Sequence, residues 1–189
     1  MYLEGTKVTG FVSSDGGALE TIHFPETLAS LTLLNQTTIS DFVLPSLQRL
    51  NTIHIVNPST TVMDWFYNNI LSFNSGARIS IEGFYAEFNS LNEVNEFYDE
   101  LLDCGYTDLN ENLIPYIQGK IYIATSISGE DVTQLQEKFP YIEITAEHIT
   151  FTVNLYKWDG SYLINPFTLN KSADGTYFWG GVGSSGGSP

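Results

Sequence analysis

Cysteine, basic side chains and long apolar runs are what this 189-residue chain has least of. With Cys104 alone no internal disulfide can form, so an oxidised scaffold is excluded, and the thiol is expected to serve as a small apolar residue near a helix end. Lysine and arginine number 7 against 22 aspartates and glutamates, a net charge of −15 that repels phosphate backbones and anionic headgroups alike. Neither nucleic acid nor a membrane surface is therefore expected as a partner. No stretch reaches the roughly 18 consecutive apolar residues of a membrane helix. The opening MYLEGTKVTG lacks the basic and apolar regions of a signal peptide, so the chain as written is not expected to be a Sec-exported product, although a fragment of one would look the same.

Chemical motifs are equally sparse. No P-loop, G-x-G-x-x-G or G-x-S-x-G occurs. His23, His54 and His148 stand far apart in sequence and outside any H-E-x-x-H-type ligand pattern; His23 and His54 fill the middle position of strand patterns, where side chains are expected to point outward. Asp108, Asn110 and Asn112 copy the first half of a calcium loop but lack its glycine and distal glutamate, so a solvated turn is expected. Asp99-Glu100 and Glu130-Asp131 fall on helices whose other faces are apolar and read as solvated faces, the second pair also favourable near a helix N-terminus. No enzymatic activity, no metal and no cofactor is expected.

What the chain does have is one apolar pattern, repeated. L-x-x-L-x-L occurs at Leu28/Leu31/Leu33, Ile39/Phe42/Leu44 and Leu50/Ile53/Ile55, each copy starting 11 residues after the last. Looser or partial copies stand at Leu19/Ile22/Phe24, Ile79/Ile81 and Ile121/Ile123, and a full one at Phe139/Ile142/Ile144. Alternating apolar residues make a strand with one buried face, and a strand that recurs makes a solenoid in which each coil buries its face against its neighbours. The repeat lengths are irregular, 11 residues early and 21 or more later. The expected parallel sheet buries Leu31, Leu33, Ile53, Ile55, Ile79, Ile81, Ile121, Ile123, Ile142 and Ile144. Asn35-Gln36 and Asn57-Pro58 fall at the corners after strands, where amides satisfy backbone groups left unpaired by a tight turn.

From residue 60 the connections become helical. Val62, Trp65, Phe66, Ile70 and Leu71 share one helical face, and Ser90 to Glu93 spells a capping box. Leu91, Val94, Phe97, Leu101 and Leu102 then keep an apolar face until Gly105, and a third helix starts at Ser128 and ends before Pro140. After Ile144 the pattern changes. Ile149, Phe151, Val153 and Leu155 alternate, Asp159-Gly160 makes a turn and Tyr162 to Leu169 returns, which predicts an antiparallel hairpin. Aromatics crowd the middle of the chain, where most are expected in the core, and its end. Trp158 beside a turn, and Tyr177, Phe178 and Trp179 beside the Gly/Ser-rich GGVGSSGGSP, are harder to bury and are the candidate interaction residues.

The L-x-x-L-x-L units with Asn-Gln and Asn-Pro corners, the Phe24-Pro25 pair and the hairpin T-F-T-V-N-L-Y-K-W-D-G-S-Y-L resemble leucine-rich repeat proteins of the bacterial-surface type, similar chains being found among structural proteins of bacteriophages of gut bacteria. The fold expected is α/β: a right-handed leucine-rich-repeat-like solenoid with a parallel sheet, helical connections in its second half and a C-terminal β-hairpin. Its expected divisions are an N-terminal strand and cap over 1–18, the solenoid over 19–148, the hairpin over 149–172 and a linker or attachment tail over 173–189. The resemblance implies a non-enzymatic structural or attachment protein of a virus particle, contacting other structural chains of an assembly. Its alternative implication is a fragment of a bacterial cell-surface adhesin that binds a host surface protein or glycan.

Overall fold

Alternate copies of the repeated pattern enter different sheets. The structure is a computed structural model that describes residues 1–14, 19–45, 47–112, 114–153 and 167–180. Its N-terminal part holds β1 (Gly10–Ser13), β2 (Thr21–His23), β3 (Ser30–Leu34), β4 (Asp41–Val43) and β5 (Thr52–Val56). β2 pairs in parallel with β4, Ile22 opposite Phe42, while β3 pairs in parallel with β5, Leu31 opposite Ile53 and Leu33 opposite Ile55. Copies 11 residues apart therefore lie on two walls, and each strand pairs with the copy after next. On the wall of β3 and β5 the repeat from Leu31 to Ile53 is thus 22 residues, in place of the expected early repeat of 11. Both walls face one interior, so their strands present the same apolar positions, and periodicity alone cannot say on which wall a copy lies.

The chain continues through α1 (Thr60–Asn69), β6 (Arg78–Phe88), α2 (Leu91–Asp103), β7 (Tyr116–Ile123), β8 (Ile127–Ser128), α3 (Gly129–Lys138) and β9 (Ile142–Ala146). Together these strands form a six-stranded, all-parallel sheet of order β1-β3-β5-β6-β7-β9, which grows in one direction without a switch point. Each helix starts at a serine cap, and two of the three, Ser90 and Ser128, were expected from the sequence: Ser59 accepts from the Val62 amide at 3.3 Å and Ser90 from the Glu93 amide at 3.3 Å. The reciprocal half of the expected Ser90 box is displaced, because the Glu93 carboxylate accepts from the amide of Asn89, at 2.8 Å. At Ser128 and Asp131 both halves of the box form. Gly105, with φ 66°, ends α2. Leu102 is 43% exposed rather than buried, since Val94, Phe97 and Leu101 alone fill the inward stripe.

All ten residues expected on the buried face of the sheet are buried. Against them lies a second layer made of the β2–β4 pair and the helices, tied together by aromatic contacts. Phe24 meets Phe11 and Phe42, and Phe42 meets Trp65 and Phe66 of α1. Further along, Phe97 of α2 stacks on Phe84 of β6 and on Phe139 beyond α3. Tyr106 is buried at the exit of α2, where its hydroxyl donates to the Ile70 carbonyl at 2.8 Å and accepts from the Phe73 amide at 3.1 Å; burial pushes its phenol well up. Cys104 is the half-buried C-cap of α2, in the place expected for it.

One backbone position recurs just after β3 and β5. Asn35 after β3 and Asn57 after β5 both have positive φ, 55° and 47°, and the Asn57 amide nitrogen approaches the Asn35 side-chain oxygen at 3.4 Å. The Asn35 main chain donates to Val56 and that of Asn57 to Glu82. Gly83 follows Glu82 at the corresponding place with φ 90°, but here the chain does not turn. It bulges, the register shifts between Glu82 and Phe84, and β6 runs on with Phe84, Ala86 and Phe88 buried.

After β9 come β10 (His148–Val153), β11 (Phe167–Ser172) and β12 (Tyr177–Gly180), forming a sheet of order β12-β11-β10-β8. β10 and β11 are antiparallel, from His148 opposite Ser172 to Val153 opposite Phe167. Leu155, Trp158, the Asp159-Gly160 turn and Tyr162 lie outside the described residues. β12 falls in the stretch read from sequence as linker or tail. It pairs antiparallel with β11 through a Ser172–Thr176 turn in which Gly175 takes φ 86°.

Candidate functional site

The interaction residues foreseen from sequence gather on β12, except Trp158, which lies outside the described residues. The Asp174 carboxyl closes the turn before the strand: it accepts from the Ser172 hydroxyl and from the Thr176 amide, bonds that lower its pKa to about 2. Because side chains alternate along a strand, Tyr177 and Trp179 point to one face and Phe178 to the other. On the second face Phe178 meets the edge of His148, centroids 5.4 Å apart. On the first, Tyr177 lies beside the Lys171 ammonium at 5.6 Å, and Trp179 continues a cross-strand row through Leu169 to Phe151.

The Phe151 end of that row lies under α3. The Phe151 ring sits so close to Gly129, the first residue of α3, that a Cβ there would come within 2.5 Å of it. Tyr177 is 58% exposed, Phe178 40% and Trp179 64%, three adjacent large aromatics on the outer strand of a sheet. Aromatics are enriched at protein interfaces relative to the rest of protein surfaces.

The other face of the six-stranded sheet is open among the described residues. Across it run Val12, Thr32, His54, Ser80 and Tyr116 in one row, and Tyr85, Lys120 and Glu143 in another. Tyr85 was expected with the core aromatics and is 48% exposed, since the Gly83 bulge inverts the alternation that follows it. The acidic charge is unevenly spread. α2 carries Glu93, Glu96, Asp99, Glu100 and Asp103, and α3 carries Glu130, Asp131 and Glu137, whereas on the sheet face Arg78 and Lys120 nearly balance Glu82, Glu87 and Glu143.

The remaining polar candidates serve the fold. The three histidines lie on three different sheets. One Asp108 oxygen accepts from the main chains of Asn110 and Asn112 at 2.8 and 2.9 Å and the other from the Asn112 side chain at 2.6 Å, which holds its carboxyl below the ordinary range. The carboxylate thus closes its own turn. Among the described residues no group of three or more His, Cys, Asp or Glu is placed to hold a metal ion.

His23 was expected to point outward on its strand, and nothing local in the sequence identifies its neighbours there. Residues 1–3 run beside β2 through a Tyr2–His23 bridge, and the His23 ring lies between Glu4 at 3.0 Å and Asp41 at 2.9 Å. The hydrogen bond to Asp41 is the largest influence and raises the imidazole pKa; burial opposes it, and the hydrogen bond to Glu4 adds to the rise. A histidine held charged by the folded state stabilises it below its ordinary value of about 6.5, and that contribution disappears as pH rises through the raised value. The melting temperature of the wild type minus that of His23→Gln is expected to be larger at about pH 6 than at about pH 9. An equal difference at both values contradicts the assignment.

The fold and the surface together define an α/β protein whose parallel sheet is covered on one side and whose last strand carries exposed aromatics. No protein-family model matches the chain, and comparison with curated proteins and with solved structures finds no match.

Proposed function

We propose that this chain is a non-enzymatic structural or attachment protein of a virus particle, such as a bacteriophage tail, baseplate or head appendage, in which a right-handed repeat solenoid projects and β12 binds a neighbouring chain of the assembly. The observation that carries the reading is the exposure of Tyr177, Phe178 and Trp179 on the outermost strand of the C-terminal sheet. The solenoid is supported by the one-directional strand order, by pairing of each early strand with the copy after next, and by the asparagine corners at Asn35 and Asn57. A net charge of −15 keeps the projecting part soluble and directs association to the end with exposed aromatics.

Combined Tyr177→Ser, Phe178→Ser and Trp179→Ser substitutions are expected to shift the melting temperature by less than about 3 °C, since these side chains bury little surface. They are also expected to abolish incorporation, read as copies per purified particle by quantitative mass spectrometry. Normal incorporation of the variant, or its unfolding, refutes the reading: the first takes the strand out of the interface and the second makes it part of the core.

A further inference from the structure

The open face of the sheet contains a depression that the attachment role does not use. Where β6 bulges, two glycines lie side by side on neighbouring strands: Gly83, and Gly119 of β7. A Cβ on Gly119 would fall 1.9 Å from the Phe84 carbonyl oxygen, and one on Gly83 would stand 3.2 Å from the Pro58 ring, so the floor is bare backbone. The bulge and the close approach of the two strands account for both glycines, and they leave the main chain there uncovered by side chains of their own. Around this floor runs a trough of about 510 Å³, within the size range of ligand sites.

Its rim is built and held. Lys120 pairs with Glu143 at 3.0 Å. The Tyr116 hydroxyl donates to the Gln118 side-chain oxygen at 3.2 Å, and the Tyr116 ring supports that of Tyr141 with centroids 4.8 Å apart. Tyr141 is 56% exposed and lines the trough with Glu82 and Gln118.

We propose that this trough binds a neutral saccharide, one or two pyranose rings of a longer glycan. The rim mixes acceptors (Glu82, Glu143), donors (Lys120) and an amide that is both (Gln118), which suits hydroxyls that donate and accept at once. The Tyr141 ring offers an apolar face for the sugar C–H groups. Charge decides against anionic ligands of similar size. Lys120 is matched by Glu143, Glu82 remains, and the whole chain is strongly acidic, so anions are repelled. The inference needs only the isolated chain and stands apart from the role of β12.

The test titrates the full chain with cello-, chito-, xylo- and mannohexaose, and with a heparin hexasaccharide as the anionic control, by calorimetry or NMR. At least one neutral hexasaccharide is expected to bind. Tyr141→Ala is expected to weaken that binding about tenfold or more, and Gln118→Ala about threefold or more, while Tyr141→Phe stays within about twofold. Tyr122→Ala, on the same face beyond the trough, is expected to leave it unchanged; Tyr141 is exposed enough for its variants to fold, which circular dichroism checks. No binding by any neutral sugar at about 5 mM, binding of the heparin fragment alone, or affinity that survives Tyr141→Ala overturns the proposal.

Discussion

Replacing Gly119 by alanine is expected to lower the melting temperature by about 10 °C or more, from a loss on the order of 4–5 kcal/mol at about 2–4 °C per kcal/mol for a chain of this size. The cause is steric. An added Cβ would lie 1.9 Å from the Phe84 carbonyl oxygen and 2.7 Å from its carbon, atoms fixed by the β6–β7 ladder that cannot rotate away. Gly76→Ala supplies the control, since its φ of 75° disfavours a side chain but no atom stands within 4 Å of the new methyl. That change is expected to cost only about 1–2 kcal/mol. Thermal unfolding of the two variants separates backbone approach from backbone conformation, and equal losses would show that the bulge is not closely packed.

Ile53→Ala is the second large effect expected, about 2–5 kcal/mol. Ile53 is fully buried on β5 between Leu31 of β3 and Ile79 of β6, so truncation leaves a cavity bordered by two other strands of the sheet. His54, the next residue, faces the other way, and His54→Ala is expected to change stability by less than about 0.5 kcal/mol. Chemical denaturation of both variants reads the difference, and a cost for Ile53→Ala no larger than that for His54→Ala would contradict the register of the sheet.

These two sites also show what was legible in the sequence. Ile53 stood in a repeated apolar pattern, and its burial, its parallel pairing and the serine caps of the helices all follow from local periodicity and local side-chain chemistry. Gly119 carried no such signal. Its constraint comes from the Phe84 carbonyl on another strand, and it exists because Gly83 shifts the alternation of β6 by one residue, which puts Tyr85 on the exposed face and Phe84 and Phe88 in the core. Assignment of alternate copies to two walls was hidden for a similar reason, because Ile22 and Leu31 present the same pattern to one interior from opposite sides. Of the candidate interaction residues, Tyr177, Phe178 and Trp179 were recognisable by composition, but not as a paired strand. The pairing of β8 with β10 and the rim of Tyr116 and Tyr141 depend wholly on tertiary placement.

The attachment role of β12 is tested most directly by photo-crosslinking inside assembled particles, with a photoreactive phenylalanine analogue placed at position 179 in one preparation and at position 85, on the open sheet face, in another. Position 179 is expected to give a covalent product with a different chain of the particle and position 85 none. Crosslinks from position 85 with none from position 179 would contradict the account and make the sheet face the attachment surface.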